Sequence, residues 1–229
     1  MTRADTLATQ AYQAIRLALL HGQLRPDVFY SENSVALMLG ISRTPAREAL
    51  RQLETEGLIE VLPQRGFRVR RISAAELVEL YDLRGMLESY VVRTLCQRLD
   101  ERLIRSLRHV VDCQQLATDD VTEFISLDEE FHLSMARSAG LLRTARIVAS
   151  LRGVLWLMGT RIVDNPARRT DVIAEHRAIL AALERRDAQA AAEAVSHHIQ
   201  ATAQMALARD GAAEAAPAAT RPSAPKGGG

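Results

Sequence analysis

Four residues in the second half of the chain have the types and spacing to hold a metal ion. Asp128 and His132 are four apart in LDEEFH, which puts both side chains on one face of a helix. His176 recurs with Ile173, Ile179, Leu180 and Leu183 at helical spacing and so points inward. His198 shares a stripe with Ala191, Val195, Thr202 and Met205, whereas its neighbour His197 turns about 100° away. Three inward imidazoles and one carboxylate suit zinc, nickel, manganese or iron better than calcium or magnesium. Taken singly, each histidine also reads as a satisfied core side chain. A second constellation is cationic: Arg43, Arg47 and Arg51 repeat every fourth residue, opposite a stripe of Ala46, Ala49, Leu50 and Leu53. Such a helix can pack on one face while its guanidinium groups grip phosphates or read guanine edges in a major groove. The alternative is a solvated face on which Arg47 and Arg51 pair with Glu48, Glu54 or Glu56.

The elements that must position these groups follow from periodicity and punctuation. Helical spacing from Leu7 to Leu20 ends at His21-Gly22, and a loop containing Pro26 leads to a short helix opened by Ser31 and Glu32 and stopped by Gly40. Ser42 or Thr44 can cap the arginine-bearing helix, Pro45 is tolerated in its first turn, and Gly57 terminates it. Leu58 to Val61 and Phe67 to Arg70 are strand-like runs joined by Pro63-Gln64-Arg65-Gly66. Gly66 beside Arg65 suits close approach to a minor groove. Three helices and a hairpin make a winged helix-turn-helix.

From Ser73 the strand signals vanish. Amphipathic segments follow at about 73–99, 100–117, 121–139, 141–165, 167–184 and 187–208. Ser73 with Glu76 has capping-box spacing, so the boundary falls at Arg71–Ser73. The fold class is mainly α: a winged helix-turn-helix over 1–72, an all-helical bundle over 73–208, and a tail over 209–229 too rich in Ala, Pro and Gly to order itself.

Composition narrows the function classes. No apolar run approaches the ~20 residues of a membrane span, and the N-terminus has no signal-peptide core, so a soluble cytoplasmic protein with no membrane partner is expected. Cys96 and Cys113 fit no metal or redox spacing and read as two reduced thiols. Residues 1–72 carry ten arginines against seven acidic side chains, and residues 73–209 carry seventeen against nineteen. The basic excess therefore sits with the candidate DNA reader.

These motifs also carry a resemblance. GISRTPAREALRQL, followed by EGLI and PQRGFRV, resembles the GntR family of transcriptional regulators over about residues 7 to 72. The resemblance implies a homodimer on a near-palindromic operator, with Arg43, Thr44 and Arg47 at DNA-contacting positions and Gly66 at the wing tip. Asp27, where the family usually has glycine, and Asn33, where many members carry a charge, depart from it. DEEFH, EHRAIL and HHI resemble the ligand motifs of the FCD effector domain in the FadR-like branch, which implies Asp128, His132, His176 and His198 as metal ligands. That family also implies a pocket beside the metal, often for a small organic acid. LYDLRGMLE matches its first helix, making Arg84 the carboxylate partner, against the alternative of a salt bridge to Asp82 or Glu88. Arg161 and Trp156 are further pocket candidates, with Trp156 closer to plain core.

The expected function is a ligand-responsive, metal-containing transcription factor, commonly a repressor, with no catalytic residues. A metalloenzyme is the rival reading, but no general base is positioned beyond the ligands. A winged helix used for protein interaction is the third, and the three arginines argue against it.

Overall fold

The computed structural model describes residues 6–26 and 28–215, without the side chains of Leu20, 157–161 and 210–215. Asp27, the side chain of Arg161 and residues 216–229 of the expected tail lie outside the described residues. The chain begins with α1 (Leu7–Leu20), α2 (Glu32–Met38) and α3 (Arg43–Thr55), followed by a hairpin of β1 (Ile59–Leu62) and β2 (Gly66–Val69). Six helices follow: α4 (Ala74–Arg98), α5 (Glu101–Leu116), α6 (Val121–Ser138), α7 (Leu142–Val163), α8 (Pro166–Glu184) and α9 (Ala188–Ala215).

Two apolar cores organise these elements. In the first, Ile15 of α1, Val35 of α2, Ala49 and Leu53 of α3 and Phe67 of β2 close on one another. The antiparallel hairpin pairs Ile59 with Val69 and Leu62 with Gly66. The second core runs through α4–α9 and includes Val92, Leu107, Phe124, Phe131, Ile179 and Val195. Within it α9 packs along both α4 and α8, α5 joins α6 to α8, and α6 lies on α7.

Local chemistry explains most boundaries. The side chains of Thr6, Ser31, Ser73, Asp100, Asp120 and Asn165 each accept a first-turn amide of the helix that follows. Gly57 leaves α3 at φ +74, a conformation glycine takes without a Cβ penalty. Three expectations need correction. Ser42 does hold the N-cap position of α3, but its hydroxyl makes no capping bond. Gly66 is not at the tip of the wing: it opens β2 at φ +95, and a Cβ there would lie 2.1 Å from the carbonyl oxygen of Tyr30. Tyr30 and Phe67 exchange both backbone hydrogen bonds, so the glycine serves this close crossing. Finally, α9 continues past residue 208 to Ala215, because ALARDGAAEA is rich in the strongest helix former.

Candidate functional site

Helices α6, α8 and α9 bring the four sequence-predicted ligands together. One ligand atom from each of Asp128, His132, His176 and His198 lies within 4.8 Å of the others. The three imidazoles are at most 2 % exposed, and His197 is exposed on the other side of α9. His132 Nε2 stands 3.2 Å from His198 Nε2, His176 Nε2 stands 3.3 Å from Asp128 Oδ1, and His132 Nε2 stands 3.9 Å from the same oxygen. Ligand bonds of about 2.0–2.2 Å put neighbouring donor atoms about 3.0–3.5 Å apart, so the spacing fits a small divalent ion.

The opposite edge of each ring faces an acceptor. His176 Nδ1 lies 2.8 Å from Gln114 Oε1, His198 Nδ1 lies 2.7 Å from Glu175 Oε2, and His132 Nδ1 lies 2.5 Å from Glu88 Oε2. At His176 and His198 such partners hold the proton on Nδ1 and leave the Nε2 lone pair bare. The Glu88 carboxylate favours the same tautomer of His132 by charge, the two atoms being close but out of hydrogen-bond alignment. Two bare lone pairs 3.2 Å apart repel unless a cation lies between them. Burial pushes His198 down to about 4, against the raising effect of Glu175, and pushes His132 well below the usual imidazole range, against Glu88. Both rings are therefore neutral at pH 7, as metal ligation requires.

The surrounding charges compensate one another. Arg84 Nε donates to Glu88 Oε1 at 2.7 Å, both side chains being almost fully buried, so the alternative partner for Arg84 is realised here. Arg152 donates to Asp128 Oδ2, and Arg168 grips Glu175 through two nitrogens at 2.5 and 2.9 Å. Burial alone would raise both carboxylates, but Arg84, His132 and Arg152 hold Glu88 well below the usual range. Arg152, His176 and His132 do the same for Asp128.

A cavity of ≈ 60 Å³ opens beside this cluster, lined by Tyr81, Arg84, Asp128, Arg152, Trp156 and Arg168 among others. A water requires ~10–15 Å³ on this measure, so the space matches a few heavy atoms, as in a small acid. Buried Arg84 Nη2, Arg152 Nη1 and Arg168 Nε have no hydrogen-bond partner among the described residues. Trp156 proves to be both core and cavity wall.

Sequence reasoning missed Gln114, Arg152 and Arg168. Gln114 stands 62 residues from the ring it orients and Arg152 stands 24 from Asp128, so no helical spacing links them. Glu175 had a signal, since it adjoins His176 within EHRAIL.

The first core carries a different surface. Arg43, Thr44, Arg47 and Arg51 are exposed along α3, and Arg65 is exposed in the turn between the strands. Arg47 Nε donates to Glu32 Oε2 of α2 at 2.9 Å, not to the acidic neighbours on its own helix. Arg68 pairs across the hairpin with Glu60 at 2.8 Å. The uncapped N-terminus of α3 leaves first-turn amides beside Arg43 and Thr44.

Fold and site define a class: a winged helix-turn-helix reader joined to an all-helical domain with a buried histidine cluster, which is the build of a transcriptional regulator. The family described as "Bacterial regulatory proteins, gntR family" matches residues 7–69, and the FCD domain matches residues 79–201. An HTH-type transcriptional regulator of Streptomyces ambofaciens is 31% identical over 87% of this chain and 85% of its own length. The HTH-type transcriptional repressor RspR of Escherichia coli is 27% identical over 83% of this chain and 85% of its own. Among solved structures, E. coli McbR/YncC superposes with a TM-score of 0.78 at 22% identity, covering 90% of this chain and 99% of that one. The chain belongs to the GntR family of regulators, with an FCD effector domain. It carries a DNA-binding helix-turn-helix, and no described helix is long and apolar enough to cross a membrane.

Proposed function

We propose that the chain is a homodimeric operator-binding repressor whose affinity for DNA is set by a small carboxylate bound beside a divalent metal. The observation that carries this reading is the convergence of three bare Nε2 atoms and one carboxylate while every Nδ1 faces an acceptor. Asp128, His132, His176 and His198 would hold zinc, nickel, manganese or iron. When bound, such an ion supplies an electrophilic partner for a carboxylate oxygen. Arg84 and Arg152 line the same cavity and each keeps a buried N–H group without a hydrogen-bond partner, which suits the rest of an anion.

On the reader, Arg43, Thr44, Arg47 and Arg51 would meet the major groove and its phosphates, with Arg65 and the wing against the adjacent backbone. Open amides at the start of α3 favour a phosphate there. Gly66 acts by letting the wing cross Tyr30. A single reader offers few contacts, so two related by a two-fold axis are required for useful specificity. Repression is the activity named for RspR, which is 27% identical over 83% of this chain.

The test is a thermal-shift screen of small mono- and dicarboxylates against zinc-loaded and chelator-stripped protein. Ligand at a hundred times its dissociation constant adds ~2.7 kcal/mol, expected only in the loaded form. Equal shifts in both forms would sink the link between metal and acid.

A further inference from the structure

We infer that Arg16, on the first helix of the reader, is the positioning residue that carries the state of the cavity to the recognition helix. This rests on reading the Asp128 cluster and its cavity as the sensor. Arg16 belongs to α1, yet it is only 9 % exposed and its charge is held by the bundle. Its Nη2 donates to Glu129 Oε2 of α6 at 3.0 Å, and its guanidinium carbon lies 4.3 Å from the ring centre of Trp156 on α7. Both partners line the cavity, and Glu129 is the residue after Asp128. Buried Arg16 Nε has no hydrogen-bond partner among the described residues, and the only further ring near the guanidinium among them is that of Tyr12 on its own helix, at 5.9 Å.

The connection continues to DNA. One turn along α1, the Tyr12 hydroxyl donates to Glu56 Oε2 at 2.8 Å. Glu56 is the C-cap of α3, and its other oxygen accepts from Gln52 at 3.0 Å. The carboxylate thus ties α1 to the end of the recognition helix. An ion at the histidines changes what Asp128 must balance, and Glu129 shares its turn of α6. Arg16 then follows its counter-charge, because a buried guanidinium is costly to leave unpaired, and α3 moves with α1. Coupling on this route requires two states of Arg16, with its contacts to the cavity wall kept in one and lost in the other.

Zinc alone is the probe, with hydrogen exchange of the full chain read in residues 7–20 and 50–58. In the wild type, saturating zinc should alter exchange in both segments as well as at its ligands. Arg16→Met should bind zinc with unchanged affinity by calorimetry but lose the zinc-dependent change in 7–20 and 50–58. Glu129→Gln breaks the same pair from the other side and should lose that change too, which covers the case of a poorly folded Arg16 variant. Trp156 is the only tryptophan in the chain, so its emission reports whether the cavity wall has responded in each protein. Reader segments that respond equally in all three proteins, or that stay silent in a zinc-bound wild type, would overturn the inference. A wild type that binds no zinc overturns the sensor reading itself, and the inference with it.

Discussion

The reader and the sensor use arginine in opposite ways. On α2 and α3 the pair Arg47–Glu32 leaves side chains 58% and 41% exposed, so water and salt compete for it. In the bundle, Arg84–Glu88 leaves 5% and 3%, so water does little to neutralise either charge. An exposed pair is worth little and exchanges readily for a phosphate. A buried one contributes little net stability while intact and becomes expensive when one partner is removed. The charges along α3 are available to a partner, whereas those around Asp128 and Glu88 are already committed to one another.

The most severe way to break this contrast is to remove a ligand. His132→Ala, His176→Ala and His198→Ala should each empty the metal centre and lower the melting temperature, while His197→Ala leaves both alone; elemental analysis and calorimetry decide it. Metal retained in His198→Ala would refute the assignment of the inward face. A milder lesion, Gln114→Leu, keeps the ligand but frees the His176 ring and should weaken metal binding ~10–100-fold.

Next in size is Glu88→Ala, which strands Arg84, takes the nearer carboxylate from Arg152 Nη1 and removes the acceptor facing His132. A loss of ~3–5 kcal/mol in urea unfolding is expected, and a loss below that of an exposed pair would show the cluster to be well hydrated. Arg47→Ala should then cost ~1–3 kcal/mol of affinity for a duplex selected from a random library if the side chain reads a base. If it grips a phosphate instead, the salt slope should fall by about one with sequence preference intact. The smallest effect sharpens the comparison: Glu32→Ala should change folding stability by only ~0–1 kcal/mol. An effect matching that of Glu88→Ala would erase the distinction between the two regions.

What could be read from the residues was whatever lies within one helix. The stripes around His176 and His198 placed both rings inward because a 3.6-residue period decides which face is buried, and Arg84–Glu88 is an i,i+4 pair. Pairs between elements left no such trace. Arg16 and Glu129 are 113 residues apart, so neither reads as anything but a surface charge until the chain is folded. Gly66 shows the other limit: a glycine before a strand signals a special backbone, but only the crossing with Tyr30 reveals which close approach demanded it.

The position of α9 has a consequence for biosynthesis. It packs along α4, the first helix of the bundle, and supplies His198, so neither the bundle's core nor the candidate metal site can close before the ribosome has passed residue 198. The reader's own core draws only on residues up to Val69 and can form while the ribosome is still working. A chain cut short before residue 198 would carry a finished reader beside an incomplete candidate metal site, and on the proposed function it would bind an operator without being switched.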